Sequence, residues 1–168
     1  PFASGYTGQN GAGKAARYTG FTDLRAAESN PFLRDHIHRD DPGLLIDTDV
    51  AAYLQDPAGQ CKYASMYFSP HCTTYSAANQ SAQGTQDKNL GSTFEDTGLI
   101  LEHHQPAIAM VECVTGVTER VKGKPSAVDL LKKKAPSFHV STCIVNAADI
   151  VSPITGEQAA MSHERCIT

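Results

Sequence analysis

The sequence predicts an α/β domain built on a doubly wound, mostly parallel sheet. Short apolar runs that end at turn residues alternate with segments of helical spacing. The runs 64–68 and 107–111 indicate buried strands, and the segment 93–104 between them has apolar side chains at helical intervals. Two strands joined through a helix pair in parallel. The length of 168 residues suits one sizeable core, so we predict a single domain over residues 1–168.

The first twenty residues predict a glycine-rich loop that leads into a helix. Four glycines let the backbone come close to a ligand: Gly5, Gly8, Gly11 and Gly13. Residues 8–14 nearly spell a phosphate-binding P-loop, but Ala15 stands where its magnesium-binding hydroxyl belongs and no apolar strand precedes the loop. The alternative is a nucleotide-type cofactor held through backbone contacts.

The following segments continue the alternation of strands and helices. Residues 24–28 predict a strand that ends at Glu28, a position where a carboxylate commonly accepts hydrogen bonds from ribose hydroxyls. Pro31 suits the first turn of a helix over 31–39, and residues 44–47 predict a third strand. Asp49 opens a brief helix over 50–54. Towards the end, we predict a helix over 126–134, a strand over 138–145 and a loop over 146–158.

Cys72 follows the 64–68 strand at the edge where open α/β sheets bind their ligands. Ser69 and Pro70 end that strand, and Cys72 lies in the polar loop that comes next. A thiol in this position is either a small buried hydrophobe or, if a neighbouring group activates it, a nucleophile. Glu112 directly follows the 107–111 strand. We therefore expect Cys72 and Glu112 to lie at the same edge of the sheet.

Charge and cysteine content disfavour several classes of protein. The net charge of −4 argues against nucleic-acid binding by bulk charge, and we interpret the basic cluster over 120–134 as a solvated helix face. The five cysteines form no CxxC pair or regular framework, and their odd number in a chain of this size indicates reduced thiols in a cytosolic setting. A zinc site is a further alternative, but its ligands would match no standard spacing, so we predict no metal. Those ligands would be His71, Cys72, His103 and His104.

The sequence has no apolar run long enough to span a membrane and no signal-peptide pattern. We therefore expect no membrane partner.

In the order and spacing of its motifs, the sequence resembles the cytosine-C5 DNA methyltransferase family over nearly the whole chain. The cofactor-binding part of the resemblance lies in Phe2 with the glycines that follow it, Glu28, and Asp49 with Val50. The catalytic part resembles the Pro-Cys, Glu-Asn-Val, Asn-Ala-x-Asp and Arg-x-Arg motifs of the family. The matching segments are Ser69-Pro70-His71-Cys72 with Ser76, Glu112-Cys113-Val114, Asn146-Ala147-Ala148-Asp149 and His163-Glu164-Arg165.

The resemblance implies a Rossmann-like fold that binds S-adenosylmethionine, and a role for each matching residue. Cys72 would add to a flipped-out cytosine, and Glu112 would hydrogen-bond its N3 edge. Arg165 would steady the base carbonyl, with His163 doing part of the work of a missing arginine. The residues implied in cofactor binding are Phe2, Gly5, Gly8, Glu28, Asp49 and Pro70. Glu28 would hold the ribose and Asp49 the adenine, although Asp49 equally suits a helix cap.

The chain departs from the family pattern in ways that put activity in doubt. His71 replaces a proline, Cys113 replaces an asparagine, and His163 replaces the first arginine of its motif. An extra segment lies around residues 154–160. The sequence stops at Thr168, before the target-recognition region and final helix that the family has. We therefore expect an incomplete catalytic domain, with a second chain supplying target recognition.

The function predicted from the sequence is a DNA (cytosine-5-)-methyltransferase of a restriction-modification type. Its partner would be cytosine-containing duplex DNA in the cytoplasm of a bacterial or phage-infected cell. Two alternatives stay open: a catalytically inactive, methyltransferase-like binding or regulatory subunit, and a tRNA cytosine-C5 methyltransferase.

Overall fold

A computed structural model describes residues 1–56, 63–79, 81–88, 91–120, 123–151 and 164–168. Within these ranges, one sheet of seven strands is flanked by helices. The strands are β1 (Phe2–Gly5), β2 (Asp23–Ala27), β3 (Leu45–Asp47), β4 (Ser65–Phe68), β5 (Ile108–Cys113), β6 (Cys143–Asn146) and β7 (Glu164–Ile167). The α-helices are α1 (Gly11–Tyr18), α2 (Pro31–Asp40), α3 (Thr93–His104) and α4 (Ala127–Lys134). A 3₁₀ helix, Val50–Gln55, follows β3.

The strand order in the sheet is β3-β2-β1-β4-β5-β7-β6. The five strands from β3 to β5 pair in parallel, while β7 pairs antiparallel with both β5 and β6. Parallel neighbours need crossover connections, and helices supply them. The sheet is therefore mostly parallel, as predicted.

Apolar layers cover both faces of this sheet. Ala26 and Ala27 are adjacent residues of β2, and successive side chains of a strand point to opposite faces. Ala27 belongs to the larger apolar cluster, which also contains the buried side chains of α3 and α4. Ala26 packs instead with Ile37 of α2 and with Leu44. Helices on both faces confirm the doubly wound α/β fold.

The 3₁₀ helix Val50–Gln55 is anchored through Tyr53. The Tyr53 side chain is fully buried, and its hydroxyl donates to the backbone oxygen of Ser4 at 2.9 Å. The guanidinium of Arg25 lies 4.5 Å from the centre of the Tyr53 ring and also binds the carboxylates of Asp47, at 2.5 Å, and Asp56. This paired, buried cation ties β2 to the end of β3 and to the 3₁₀ helix.

Side-chain caps fix the beginnings of two helices. The Asn30 side chain accepts from the Phe32 N–H at 3.0 Å, and Pro31 occupies the first turn of α2. Ser126 and Asp129 form a reciprocal capping box at the start of α4. These caps explain why α2 and α4 begin within a residue of their predicted positions.

Several strands differ from the prediction. β1 occupies Phe2–Gly5, where a loop was predicted, because both of its neighbours hydrogen-bond to it. β6 covers only Cys143–Asn146 instead of 138–145. β7 was not predicted, and β5 extends to Cys113, so that Glu112 lies inside the strand. Among the described residues, no helix combines the length and apolar character needed to cross a lipid bilayer.

His104, the last residue of α3, is a buried imidazole surrounded by aromatic rings. Its Nε2–H donates to the backbone oxygen of Tyr53 at 2.8 Å, and the ring centres of Tyr53 and Tyr63 lie 5.9 Å and 5.3 Å away. Within the described part of the chain, Nδ1 has no hydrogen-bond partner. Burial lowers the pKa of His104, so the folded protein holds this ring neutral.

We predict that the protein loses stability as the pH falls below about 6.5, because the unfolded chain then binds a proton at His104 that the folded chain excludes. The free energy of unfolding should rise with pH up to that value. Urea denaturation between about pH 5 and pH 8 measures this slope. His104→Gln should flatten it, whereas the matched variant His139→Gln, at an exposed position, should leave it unchanged. An unchanged slope in His104→Gln would refute the prediction.

Candidate active site

A cavity of about 590 Å³ opens at the carboxyl ends of β1 and β4. These strands are neighbours, and the chain proceeds from β1 towards β2 but from β4 towards β5, in opposite directions along the sheet. Open α/β sheets bind their ligands at such a switch point. The volume is typical of small-molecule sites. Five of the residues predicted to bind the cofactor or to act in catalysis line the cavity: Gly8, Glu28, Asp49, Pro70 and Cys72.

Glu28 follows β2 and is held in place by the backbone. Its Oε2 accepts from the N–H of Gly8 at 2.8 Å, and its Oε1 accepts from the N–H of Asn30, also at 2.8 Å. The residue is only 8% exposed, so the two bonds fix the orientation of a nearly buried carboxylate. Each carboxylate oxygen has a second lone pair, which leaves Glu28 able to accept from a ligand hydroxyl.

Asp49 caps the 3₁₀ helix that follows it, as its position in the sequence allows. Its Oδ1 accepts from the N–H of Ala51 at 2.8 Å, which caps the 3₁₀ helix. The same side chain lines the cavity together with Asp96 from the first turn of α3. Capping and ligand contact are therefore compatible at Asp49.

Tyr6, rather than Phe2, is the aromatic residue that lines the cavity. Phe2 lies at the opposite end of β1 and packs edge-on against Phe21, with ring centres 6.4 Å apart. Gly5 is buried, and a Cβ there would approach the Phe68 ring to 2.5 Å, so this glycine permits close packing of β1 on β4. Tyr6 was missed because β1 was not predicted. Had that strand been predicted, an aromatic residue directly after it would have indicated Tyr6 as a candidate for the cavity lining.

Cys72 is exposed, carries a free thiol and lines the cavity. Pro70, two residues earlier, is buried and directs the chain from β4 into the loop. The ring of His71 lies edge-on to Tyr6, with 5.9 Å between ring centres. The thiol is therefore open to a ligand and is not sealed in the apolar core.

Glu112 lies beside the cavity and is held from two sides. The hydroxyl of Ser69, a cavity-lining residue, donates to its Oε2 at 2.9 Å. Nε of Arg165 lies 2.6 Å from its Oε1. Ser69 precedes Cys72 on the same segment, so the nucleophile candidate and the carboxylate are joined through one short stretch of chain.

Cys113 is a second thiol near the site, with different properties. It is 3% exposed, and its Sγ donates to the backbone oxygen of Pro70 at 3.7 Å. Burial raises the pKa of Cys113 to about 12. Cys113 therefore acts as a small core residue that supports the turn before Cys72.

Other predicted groups lie elsewhere or outside the described residues. Residues 152–163 lie outside the described part of the chain. They include His163 and the extra segment 154–160. The zinc alternative is not supported, because His103 and His104 bind the backbone oxygens of Asp56, at 2.7 Å, and Tyr53. In the described ranges, no three His, Cys, Asp or Glu side chains are grouped to hold a metal ion.

The loop after Cys72 is closed by reciprocal bonds. The N–H of Gly84 donates to the backbone oxygen of Thr74 at 2.7 Å, and the Thr74 hydroxyl donates back to the Gly84 oxygen at 3.1 Å. Gly84 has a φ of +57°, which favours glycine. These two bonds hold Thr74, which follows the cavity-lining Thr73, against Gly84.

The strand order and the position of the cavity define a Rossmann-like α/β fold, and solved methyltransferase structures share this fold. No protein-family model and no curated protein sequence matches the chain. Similarity to solved structures is extensive, but sequence identity is low.

Three solved structures match 99% of the chain. The first is a prophage-encoded E. coli protein described as a DNA modification methyltransferase. The TM-score is 0.73, the sequence identity is 15%, and the match covers 44% of that protein. The second is the Dnmt2 methyltransferase of S. pombe. The TM-score is 0.68, the sequence identity is 16%, and the match covers 47% of that protein. The third is Thermoplasma acidophilum 1320, with a TM-score of 0.54, 14% identity and 75% coverage. The chain thus spans less than half the length of the first two.

We predict that alkylation will separate the cysteines of the native protein. At about pH 8, iodoacetamide should modify the exposed Cys72 and Cys143 at least tenfold faster than the buried Cys113 and Cys166, whose pKa values burial raises. Peptide mass spectrometry gives the extent at each site, and the urea-unfolded chain, in which all should react alike, is the control. Rapid modification of Cys113 in the folded protein would show that the turn before Cys72 is packed differently.

Proposed function

We propose that the chain is the catalytic part of a DNA (cytosine-5-)-methyltransferase that uses S-adenosylmethionine. The observation that carries the proposal is the arrangement of Cys72 and Glu112. The exposed thiol lines the cavity at the switch point, and Ser69 from the same cavity donates to Glu112. A thiol and a carboxyl group on one edge of a sheet suit covalent catalysis on a pyrimidine.

The cavity fits S-adenosylmethionine in charge and in donor chemistry. The cofactor carries a sulfonium and an ammonium group, and three carboxylates line the cavity: Glu28, Asp49 and Asp96. Glu28 would hold the ribose hydroxyls, Asp49 the adenine, and Tyr6 would pack against the cofactor in place of Phe2. Pro70 and Cys72 line the same cavity. When bound, the cofactor supplies an electrophilic methyl group and leaves as a neutral thioether.

Cys72 would make C5 of the cytosine nucleophilic. Its thiolate forms a bond to C6, the C5–C6 π electrons shift into the C4–C5 bond, and the displaced C4–N3 pair takes a proton from Glu112 at N3. C5 would then be able to accept the methyl group that the cofactor supplies. Loss of the C5 proton to solvent would restore the C5–C6 double bond and expel the Cys72 thiolate, and N3 would return its proton to Glu112. The base must leave the duplex to reach this thiol.

Glu112 and Arg165 would recognise the edge of the base. The Glu112 carboxyl contributes the proton at N3 and binds the exocyclic amine, while Arg165 orients that carboxyl and steadies the base carbonyl. We include His163 as a further base contact on the strength of the sequence resemblance. The low-dielectric surroundings of a closed site would strengthen each of these interactions.

The proposed partner is cytosine-containing duplex DNA in the bacterial cytoplasm, with target recognition supplied by a second polypeptide. The prophage-encoded structural neighbour is described as a DNA modification methyltransferase, and the chain spans 44% of it. The net charge of −4 agrees with a chain that does not hold DNA by bulk charge on its own.

Calorimetric titration with S-adenosylmethionine, followed by transfer of a labelled methyl group to duplex DNA, tests the proposal. We expect binding and labelling of cytosine at C5. Binding without transfer would favour an inactive, regulatory relative. Transfer to tRNA alone would overturn the choice of DNA, and absence of cofactor binding would overturn the whole proposal.

We predict that Cys72→Ser abolishes the covalent adduct with DNA that contains 5-fluorocytosine, because only the thiolate adds to C6. Cofactor affinity should stay within about threefold of the wild type, since the change only replaces one sulfur atom of the cavity lining with oxygen. Denaturing gels detect the adduct. Cys143→Ser, at an exposed position, is the matched control and should still trap the DNA. A Cys72→Ser protein that trapped DNA would exclude Cys72 as the nucleophile.

A further inference from the structure

Ser69 is fixed at the carboxyl end of β4 by the backbone on both sides. Its N–H donates to the backbone oxygen of Gly5 at 3.2 Å, which continues the pairing of β4 with β1 beyond the strand. Pro70 follows, and a proline ring restricts the conformation of the residue before it. The side chain of Ser69 therefore starts from a Cβ whose position is set by the sheet and by the turn.

The Ser69 hydroxyl lies directly across from Glu112 of β5. The parallel register pairs Phe68 with Val111, so the next residues along the two segments, Ser69 and Glu112, lie opposite one another. Oγ of Ser69 donates to Oε2 of Glu112 at 2.9 Å, which is within the usual range for such a hydrogen bond. The strand register and the hydrogen-bond distance thus agree on this contact.

The two carboxylate oxygens of Glu112 have partners of different chemistry. Oε1 lies 2.6 Å from Nε of Arg165, and a guanidinium group only donates and keeps its positive charge in proteins. A proton on Oε1 would face that charge, so the proton of the carboxyl group belongs on Oε2. Ser69, the partner of Oε2, also lines the cavity. The oxygen suited to carry the proton is therefore the one held from the cavity side.

We propose that Ser69 is a positioning residue, whose hydroxyl holds Oε2 of Glu112 in the orientation required for proton transfer to N3 of the base. This inference rests on the proposed function and deepens it, because it assigns the transfer to one oxygen of the carboxyl group. The resemblance to the methyltransferase family implies no role for the Ser69 side chain. Ser69 acts through Glu112 and does not touch the reacting atoms. Since only Pro70 and His71 lie between Ser69 and Cys72, the same residue ties the acid to the nucleophile.

The hydrogen bond from Ser69 strengthens as the proton leaves Glu112. A hydroxyl donates more strongly to an ionised oxygen than to a neutral one, and negative charge develops on Oε2 during transfer to N3. An interaction that is stronger in the transition state than in the ground state raises kcat without tightening substrate binding. The Ser69 hydroxyl is uncharged, so its removal alters this interaction without altering the charge of the cavity.

Ser69→Ala tests the inference because it removes the hydroxyl and keeps the Cβ. We expect kcat for DNA methylation to fall between about tenfold and a hundredfold, with the KM for DNA and the calorimetric Kd for S-adenosylmethionine within about twofold of the wild type. Ser69→Thr keeps the hydroxyl and should recover kcat to within about threefold of the wild type. Ser65→Ala removes a half-buried serine hydroxyl at the start of the same strand and is the matched control, which should equal the wild type in every measurement.

Exchange of the C5 hydrogen separates proton transfer at N3 from the later transfer of the methyl group. Addition of Cys72 to C6, with protonation at N3, lets C5 take a proton from water and then lose either hydrogen. Exchange and methylation both pass through that protonated adduct. Ser69→Ala should therefore slow the release of tritium from DNA whose cytosine is labelled at C5 by the same factor as kcat, within about threefold. Loss of methylation without loss of exchange would overturn the role of Ser69, as would a tenfold rise in the Kd for the cofactor.

Failure of this inference differs from failure of the proposed function. An active wild type whose Ser69→Ala variant is equally active would overturn only the positioning role. If the wild type neither traps 5-fluorocytosine DNA nor methylates it, the proposed function itself falls. Should Ser69→Ala lower the midpoint of thermal unfolding, Ser69→Thr decides between positioning and lost structure. A Ser69→Thr protein that did not recover kcat would count against positioning.

Discussion

The site depends on the insertion of β4 between β1 and β5. This pairing places the end of β1, with Tyr6, next to the end of β4, with Pro70, and opens the cavity between them. The same strand delivers Ser69 towards Glu112 and leads directly into the loop with Cys72. Gly5 permits this arrangement, because any side chain there would collide with the Phe68 ring. A shift of β4 by one residue would turn each of these groups to the other face.

Around the cavity, the acidic residues combine structural bonds with free acceptor capacity. Glu28 uses one lone pair of each oxygen on backbone N–H groups, and Asp49 uses one oxygen as a helix cap. Such bonds fix the carboxylates before a ligand arrives, so that little ordering entropy is lost on binding. Beneath them, Arg25 and Tyr53 anchor the 3₁₀ helix to the sheet. The binding surface is therefore preorganised by the same contacts that stabilise the fold.

The sequence predicts elements that carry a strong local pattern better than strands that depend on long-range pairing, for physical reasons. The helix over 93–104 was predicted with its observed limits because its buried face repeats at helical spacing. β1 escaped prediction because it has only four residues, three of them with small side chains or none, and its conformation comes from pairing on both sides. β7 likewise depends on pairing with β5, where Cys113 lies opposite Cys166. Local patterns carry no signal for such long-range pairs, so Arg165 was assigned only through the resemblance to a family, and Tyr6 was missed.

Cys113 shows how a fold can be kept while the support of a site changes. The resemblance places an asparagine in this position, whose amide would need hydrogen-bond partners for two donors and an acceptor. The structure instead buries a thiol among Val111, Cys166 and other apolar residues, with a weak bond to the Pro70 oxygen. A buried, nearly apolar side chain stabilises the turn before Cys72 but gives Glu112 no strong donor. The orientation of the carboxylate then falls to Ser69, from the segment after β4, and to Arg165 of β7, which hold it from the two sides of β5.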